Sequence, residues 1–312
     1  VSEQPGYFST LASRFGEGWN RFWFTPADPL PLGVVRVGVG LIALYVVVTF
    51  GFDLRRLFDP QTGLLTVETV KAIQEQTGRT IRFSYFDYAP DALSLQMMHY
   101  AGVAVLAAFT IGLWTRVTSI LSLVAFLSYM HRGPVLLNVG EPVIAMLLFY
   151  LALGPSGAAL SLDARRRRGR DPQVGMPSWG ANVVLRLIQV HIALIYFLMF
   201  CGKTQNNFVW WNGMAVWWLI ARPESALVNL RWMAEAPYLI NLWTTGLLAF
   251  ELAFPVLVWN RTARPLFLGL SAIVWTGTAL ITGLVPFCLA MFVAGLAFSS
   301  ADTWRRLLPG RA

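Results

Sequence analysis

The sequence predicts an all-α membrane protein, a polytopic transmembrane helical bundle of about eight spans plus an N-terminal interfacial helix. Three observations point there. Of 312 residues, 56% are hydrophobic and 13% charged, about half the charge of a soluble domain. The apolar residues gather in runs near the length that crosses a hydrocarbon core. Most of the arginines lie between those runs rather than within them.

Taken in order, Tyr7, Phe8, Leu11, Phe15, Trp19, Phe22 and Trp23 recur at three- and four-residue steps through residues 7–24. Ser13, Arg14, Glu17 and Asn20 stand between them, so the spacing predicts an amphipathic helix lying in the membrane interface. The segment Thr25-Pro26-Ala27-Asp28-Pro29 breaks it. Candidate spans follow at 32–52, 92–114, 117–132, 140–160, 181–201, 238–259, 264–281 and 283–300. The shortest is 117–132. The last two are separated only by Thr282-Gly283, either a tight hairpin or a misjudged boundary. The whole of 1–312 reads as one transmembrane domain. No cleavable signal peptide is expected, because the first apolar run begins near Leu32 and no small-residue cleavage pattern follows it.

Arginine placement sets the orientation. With the N-terminus cytoplasmic and eight crossings, the C-terminus is cytoplasmic too. The inner side then receives Arg14, Arg21, Arg116, Arg165 to Arg168, Arg170, Arg261, Arg264, Arg305, Arg306 and Arg311, mostly in short connections, where the positive-inside rule counts. Arg55, Arg56, Lys71, Arg79, Arg82, Arg132, Lys203, Arg222 and Arg231 fall outside, mostly in the long loops 53–91 and 202–237. The Arg165–Arg170 run is topogenic on this reading, with an anionic-lipid or nucleic-acid patch as the alternative. The first long loop holds a short helix, Thr66 to Gln76, stopped by Gly78. The second carries Trp210, Trp211, Trp217, Trp218 and Trp232, either interfacial indoles or the roof of a ligand pocket.

Composition also excludes. The net charge of +8 reflects loop arginines, and no soluble segment interleaves basic residues with aromatics, so the lipid bilayer is the expected partner and nucleic acid is not. Cys201 and Cys288 have no metal-ligand spacing and the three histidines are scattered, so no zinc or haem site is expected. The two cysteines are buried thiols or one bridge.

The candidate chemistry centres on Lys203, which ends the fifth run. The chain has 24 basic residues, and lysine is used only at Lys71 and Lys203. A sheltered lysine can act as a base where arginine cannot; the competing reading is a snorkelling lysine that caps its helix. By topology His131, Arg132, Asn138, Glu141 and His99 share the outer side with Lys203. Deeper lie Arg36, Arg186, His191 and Glu251, where isolated charges are costly. Depth suggests Glu251 pairs with Arg186 or His191 as a structural clamp. The twelve residues from His191 to Lys203 separate them by about 18 Å on an ideal helix.

The order of several motifs resembles the HTTM membrane domain, shared by vitamin K-dependent gamma-glutamyl carboxylases and many bacterial membrane proteins. They are Trp19-Asn20-Arg21-Phe22-Trp23-Phe24, then Pro29 through Gly38, then Asn138-Val139-Gly140-Glu141 and Ser161-Leu162-Asp163-Ala164. Arg186, Gln189, Tyr196 and Phe197 leading to Lys203, then Trp211-Asn212-Gly213-Met214-Ala215, form the most specific stretch. Glu251 with Pro255, Arg261 and Arg264 continues it. The resemblance implies that Lys203 is the base that deprotonates a reduced vitamin K or another quinol at the outer face. On that reading Glu141 and His131 assist, and Tyr196, Trp211, Asn212 and Asn138 hold the cofactor. It implies a multi-pass protein of a prokaryotic inner membrane. The chain departs from the carboxylases in ending at Ala312, a dozen residues past the last run, without their extracytoplasmic peptide-binding domain. It also has Gly140 and Glu141 where an assisting histidine would fall, and Val274-Trp275-Thr276-Gly277 where many bacterial relatives carry a histidine. A separate extracytoplasmic protein supplying the missing half, or different chemistry, follows. The alternative is a non-enzymatic membrane module that binds a lipid or quinone or partners a secreted-protein maturation factor. A transporter is disfavoured, because no pair of Gly/Pro-broken spans repeats in two halves.

Overall fold

In the computed structural model residues 7–78, 83–172, 174–205, 208–222 and 227–308 are described; Arg79, Arg82 and Arg311 of the charge tally lie outside them. Among the described residues the regular structure is helical, with a single isolated backbone bridge between Ala27 and Ser178.

The amphipathic N-terminal stretch forms α1 (Tyr7–Phe24), with no residue buried. Its aromatic stripe stacks along one face, Phe15 on Trp19 and Trp19 against Trp23 at centroid distances of 6.2 and 5.7 Å. After the Pro26–Pro29 break, α2 (Leu30–Phe52) starts with a proline in its first turn, where the missing N–H costs nothing. The first long loop holds α3 (Leu54–Phe58) and α4 (Val67–Gln76). The Thr66 hydroxyl accepts from Thr69 N, and Gly78 lies just past the helix end at a left-handed φ of +67°.

Next come α5 (Ala92–Ile111), α6 (Thr115–Arg132), α7 (Gly140–Leu153), α8 (Leu162–Arg167) and α9 (Trp179–Gln205). The tryptophan-rich loop folds into α10 (Phe208–Trp211) and α11 (Ala215–Ile220). It is followed by α12 (Pro237–Leu257), α13 (Arg264–Thr282), α14 (Val285–Gly295) and α15 (Ala301–Leu307).

All eight expected runs are helical, yet they are not equivalent. Among the described residues five helices, α2, α5, α9, α12 and α13, are long and apolar enough to cross a membrane, or six if α14 with its 3-10 extension and α15, bent by 111°, count as one. The run 283–300 is helical from Val285 to Phe298, and the chain bends at Ser299-Ser300, where α15 sets off. Gly283, at φ +67°, ends α13 and lets α14 start at once, so the Thr282-Gly283 punctuation is a tight hairpin. The run 140–160 is helical only to Leu153, because Gly154-Pro155 stops it. At 14 residues, α7 is about 21 Å long. Helix α6 buries a hydroxyl-rich face of Thr115, Thr118, Ser119, Ser122 and Ser128, which lowers its hydropathy below the others.

Helix α2 is central and packs on α5, α7 and α14. Its side chains Leu32, Val35, Val39, Ala43 and Val47 are essentially inaccessible. At Gly40 the backbone of α2 meets Thr110 of α5 so closely that a Cβ would lie 3.1 Å from the Thr110 Cα, the small-residue contact typical of apolar helix pairs. The loop helix α11 contributes Val216 and Ile220 to a second, smaller apolar cluster with Met233, Ile240 and Ile281.

A recurring device closes the helix ends. The last carbonyls of a helix have no partner within it, and here long polar side chains from elsewhere donate to them. Arg36 donates to Phe109 O (2.9 Å) near the end of α5 and to Leu160 O (2.6 Å). Arg132 donates to Phe58 O (3.1 Å), Asn182 to Phe22 O and Trp23 O (2.8 and 2.9 Å), and Gln189 to Ala297 O (2.7 Å). Arg264 donates to Val258 O and Trp259 O just past α12 (3.2 and 3.3 Å). Asp163 does the converse at a helix start, accepting from Trp114 N, Thr115 N and the Thr115 hydroxyl at 2.6–2.9 Å. Partial burial pushes the Asp163 carboxyl up, but these hydrogen bonds, with Arg167 nearby, outweigh it and hold it below its ordinary value of 3.8.

Candidate functional site: a lysine–glutamate pair beneath a tryptophan

Helix α9 carries Lys203 three positions from its C-terminal residue Gln205 when both are counted, and α12 carries Glu251. Their meeting follows from the register of the two helices. Tyr196 of α9 stacks on Phe254 of α12, centroids 4.0 Å apart, and its ring also meets Phe250 edge-on at 5.6 Å. In an antiparallel pair with 196 level with 254, Glu251 lies level with Met199, one turn or about 6 Å below Lys203. A helical side chain leans toward its own N-terminus. The lysine stem therefore covers that turn, and Nζ forms an ion pair and hydrogen bond with Glu251 Oε1.

Glu251 is buried and Lys203 largely so, at 1% and 20% side-chain exposure. From the loop side, the Trp210 ring lies 4.7 Å from Nζ, within cation–π range. The second carboxylate oxygen, Glu251 Oε2, is buried with no hydrogen-bond partner among the described residues. A buried carboxylate oxygen without a donor is costly, so the site has one acceptor to spare.

This corrects the pairing expected from depth. Glu251 partners Lys203, and neither Arg186 nor His191 reaches it. Arg186 donates to Gln189 Oε1 (3.0 Å) and lies 4.4 Å over the Phe22 ring. His191 Nδ1 is 2.7 Å from the Tyr150 hydroxyl. Arg36 is fully buried and donates to two carbonyls instead of forming a carboxylate ion pair, and its Nε has no acceptor among the described residues.

The outer groups do not converge on the lysine either. His131 Nδ1 bonds Phe83 O (2.8 Å), and buried His99 bonds the Tyr129 hydroxyl (2.7 Å). Glu141 reaches back to accept from Asn138 N (2.8 Å), closing the first turn of α7. Among the described residues, no hydrogen bond or ion pair joins His131, Asn138, Glu141 or His99 to the Lys203–Glu251 pair. Trp211 donates its indole N–H to Thr204 O (2.8 Å), and Asn212 Oδ1 accepts from Met214 N (3.0 Å), so both brace the loop above the pair. The Tyr196 hydroxyl is fully buried, accepting from Trp275 Nε1 at 2.7 Å and bonding the Ser271 hydroxyl at 3.3 Å. It sets helix register instead of lining a cavity.

Trp210 is the contact that residue spacing did not single out from the other loop indoles. Its signal was its place seven residues after Lys203, the nearest of the loop indoles to that amine in sequence. Cys201 and Cys288 are free thiols. No group of three or more metal-ligating side chains is present among the described residues. No protein-family model, curated protein or solved structure matches the chain.

Proposed function

We propose that this chain is an HTTM-like integral membrane protein of a bacterial inner membrane. On this reading it crosses the bilayer eight times with both termini cytoplasmic, and its outward-facing Lys203–Glu251 pair handles the proton of a lipid-soluble quinol such as a reduced vitamin K. The observation that carries the reading is the pair itself: a sheltered amine with an indole over it, and a buried carboxylate with one oxygen unpartnered among the described residues.

When bound, a quinol supplies an acidic hydroxyl and a pair of electrons. Glu251 Oε2 is the free acceptor for that hydroxyl. An ammonium cannot take up a proton, so Lys203 must first yield one. Transfer of one N–H proton from Nζ to Glu251 Oε1 leaves a neutral amine with a lone pair and a neutral carboxyl group. Inside a low-dielectric bundle, that exchange removes two charges at once. Lys203 Nζ then accepts the hydroxyl proton, with Trp210 excluding water. An arginine at 203 could not make the exchange, because its guanidinium stays protonated. A separate extracytoplasmic protein would present any macromolecular substrate.

The engaged state of the amine also fits the non-enzymatic alternative, a membrane module in which the pair is a clamp beside a bound lipid or quinone. Titrating the detergent-solubilised chain with a short-chain naphthoquinone and its quinol under anaerobic conditions, with tryptophan quenching and the absorbance of the quinol anion as readouts, separates the two. Formation of the bound quinol anion that is lost in Lys203→Arg and in the Lys203→Met/Glu251→Met double variant supports the enzyme. Quenching by a quinol that stays protonated supports the module, and no binding of either form refutes both.

A further inference from the structure

The end of the bundle opposite Lys203 holds a polar cavity of about 490 Å³. Three guanidinium groups line it: Arg186 from α9, Arg261 from the α12–α13 turn, and Arg264 at the start of α13. Arg186 and Arg264, and Arg264 and Arg261, are close enough to repel one another. Three like charges around one cavity raise the energy of the empty site unless an anion sits among them.

Among the described residues no carboxylate is free to serve as that anion. The carboxylate that lines the cavity is Asp28, and it is committed: Oδ2 pairs with Arg305 and Oδ1 accepts from Leu30 N (2.9 Å). Among the described residues, Arg186, Arg261 and Arg264 have no carboxylate partner. Two of the three are nonetheless held in place. Arg186 rests 4.4 Å over Phe22 and 5.8 Å from Trp259, and Arg264 is fixed by the carbonyls of Val258 and Trp259. The Arg186 Nε is buried and has no acceptor. Helix α13 also begins here without a side-chain cap, so its positive end lies beside the cavity.

We propose that this cavity binds a phosphate-bearing anion, with Arg186 and Arg264 as a prepositioned fork and Arg261, which is exposed, closing over it. Guanidinium groups match phosphate oxygens with paired donors. The rim is formed by Phe22 of the amphipathic α1, which puts a lipid phosphodiester within reach; a free phosphate or pyrophosphate offers the same oxygens.

The test uses the full chain in detergent and measures thermal shift and native mass spectrometry. One arm adds short-chain phosphatidylglycerol against phosphatidylcholine, and the other adds inorganic phosphate or pyrophosphate against sulfate-free chloride at equal ionic strength. The informative variant is Arg261→Gln, since its exposed side chain holds no helix end. Retention of phosphatidylglycerol but not phosphatidylcholine, weakened about tenfold by Arg261→Gln, identifies a lipid source. The same dependence for pyrophosphate without lipid discrimination identifies a soluble one. If neither anion raises the melting temperature, or Arg261→Gln and Arg186→Gln leave every affinity unchanged, the site does not exist.

Discussion

Removing the two members of the Lys203–Glu251 pair should have unequal consequences, because burial is unequal. Lys203→Met leaves a carboxylate at 1% exposure with no cation. Breaking a buried pair this way costs about 3–5 kcal/mol. Glu251→Met leaves an ammonium at 20% exposure, near the end of its helix and against the Trp210 face. That amine can swing toward the surface on its flexible stem, so the loss is closer to the ~1 kcal/mol of an accessible pair. The double variant replaces both charges by apolar groups and should lie within about 1 kcal/mol of the parent or above it. The resulting coupling is at least ~2 kcal/mol. Reversible unfolding in mixed SDS–detergent micelles, followed by far-ultraviolet circular dichroism, measures all four proteins. Acidification should shrink the Lys203→Met penalty, since an uncharged carboxyl needs no cation. The reasoning fails if Glu251→Met is the costlier single change, or if the two single losses simply add in the double.

Two further outcomes rest on the closures at the helix ends. Asp163→Ala removes three acceptor contacts at the start of α6 and should lower stability by about 1–3 kcal/mol; because the folded carboxyl is held below 3.8, the deficit is full above that pH and closes as the pH falls below it. Melting curves across the acid range check the sign, and a gap constant with pH would remove the carboxylate from the explanation. Asn182→Ala withdraws both donors from the end of α1, so trypsin should cut faster after Arg14 and Arg21 while the melting temperature of the bundle hardly moves; unchanged cleavage would mean that α1 is held by its aromatic contacts alone.

Much of the helical framework was legible in residue spacing. Periodic aromatics marked α1, Thr66 and Gly78 bracketed α4, and long apolar runs marked α2, α5, α9, α12 and α13. Where helices stop was less legible. Gly154-Pro155 ends α7 inside a stretch whose hydropathy continues, and the last run turns sharply only at its end, at Ser299-Ser300. The site was half legible. Lysine scarcity drew attention to Lys203, but depth counted along each helix separately put Glu251 elsewhere. The missing quantity was the relative axial offset of α9 and α12, which is fixed by a single stacked pair, Tyr196 and Phe254. Side-chain lean then moves the amine a full turn from its Cα. His131, Asn138 and Glu141 shared a side of the membrane with it by topology, yet each is consumed locally by a loop carbonyl or a helix start.

The arginine-tied helix ends have a practical consequence. Because guanidinium groups do this work, the folded chain presents just two side-chain amines, Lys71 and Lys203, to an acylating reagent. Lys71 stands open on α4, whereas Lys203 lies under an indole. The first serves as an internal reference for reagent strength, and the ratio of the two modified peptides in one digest reports how often the indole lifts, with no engineered label.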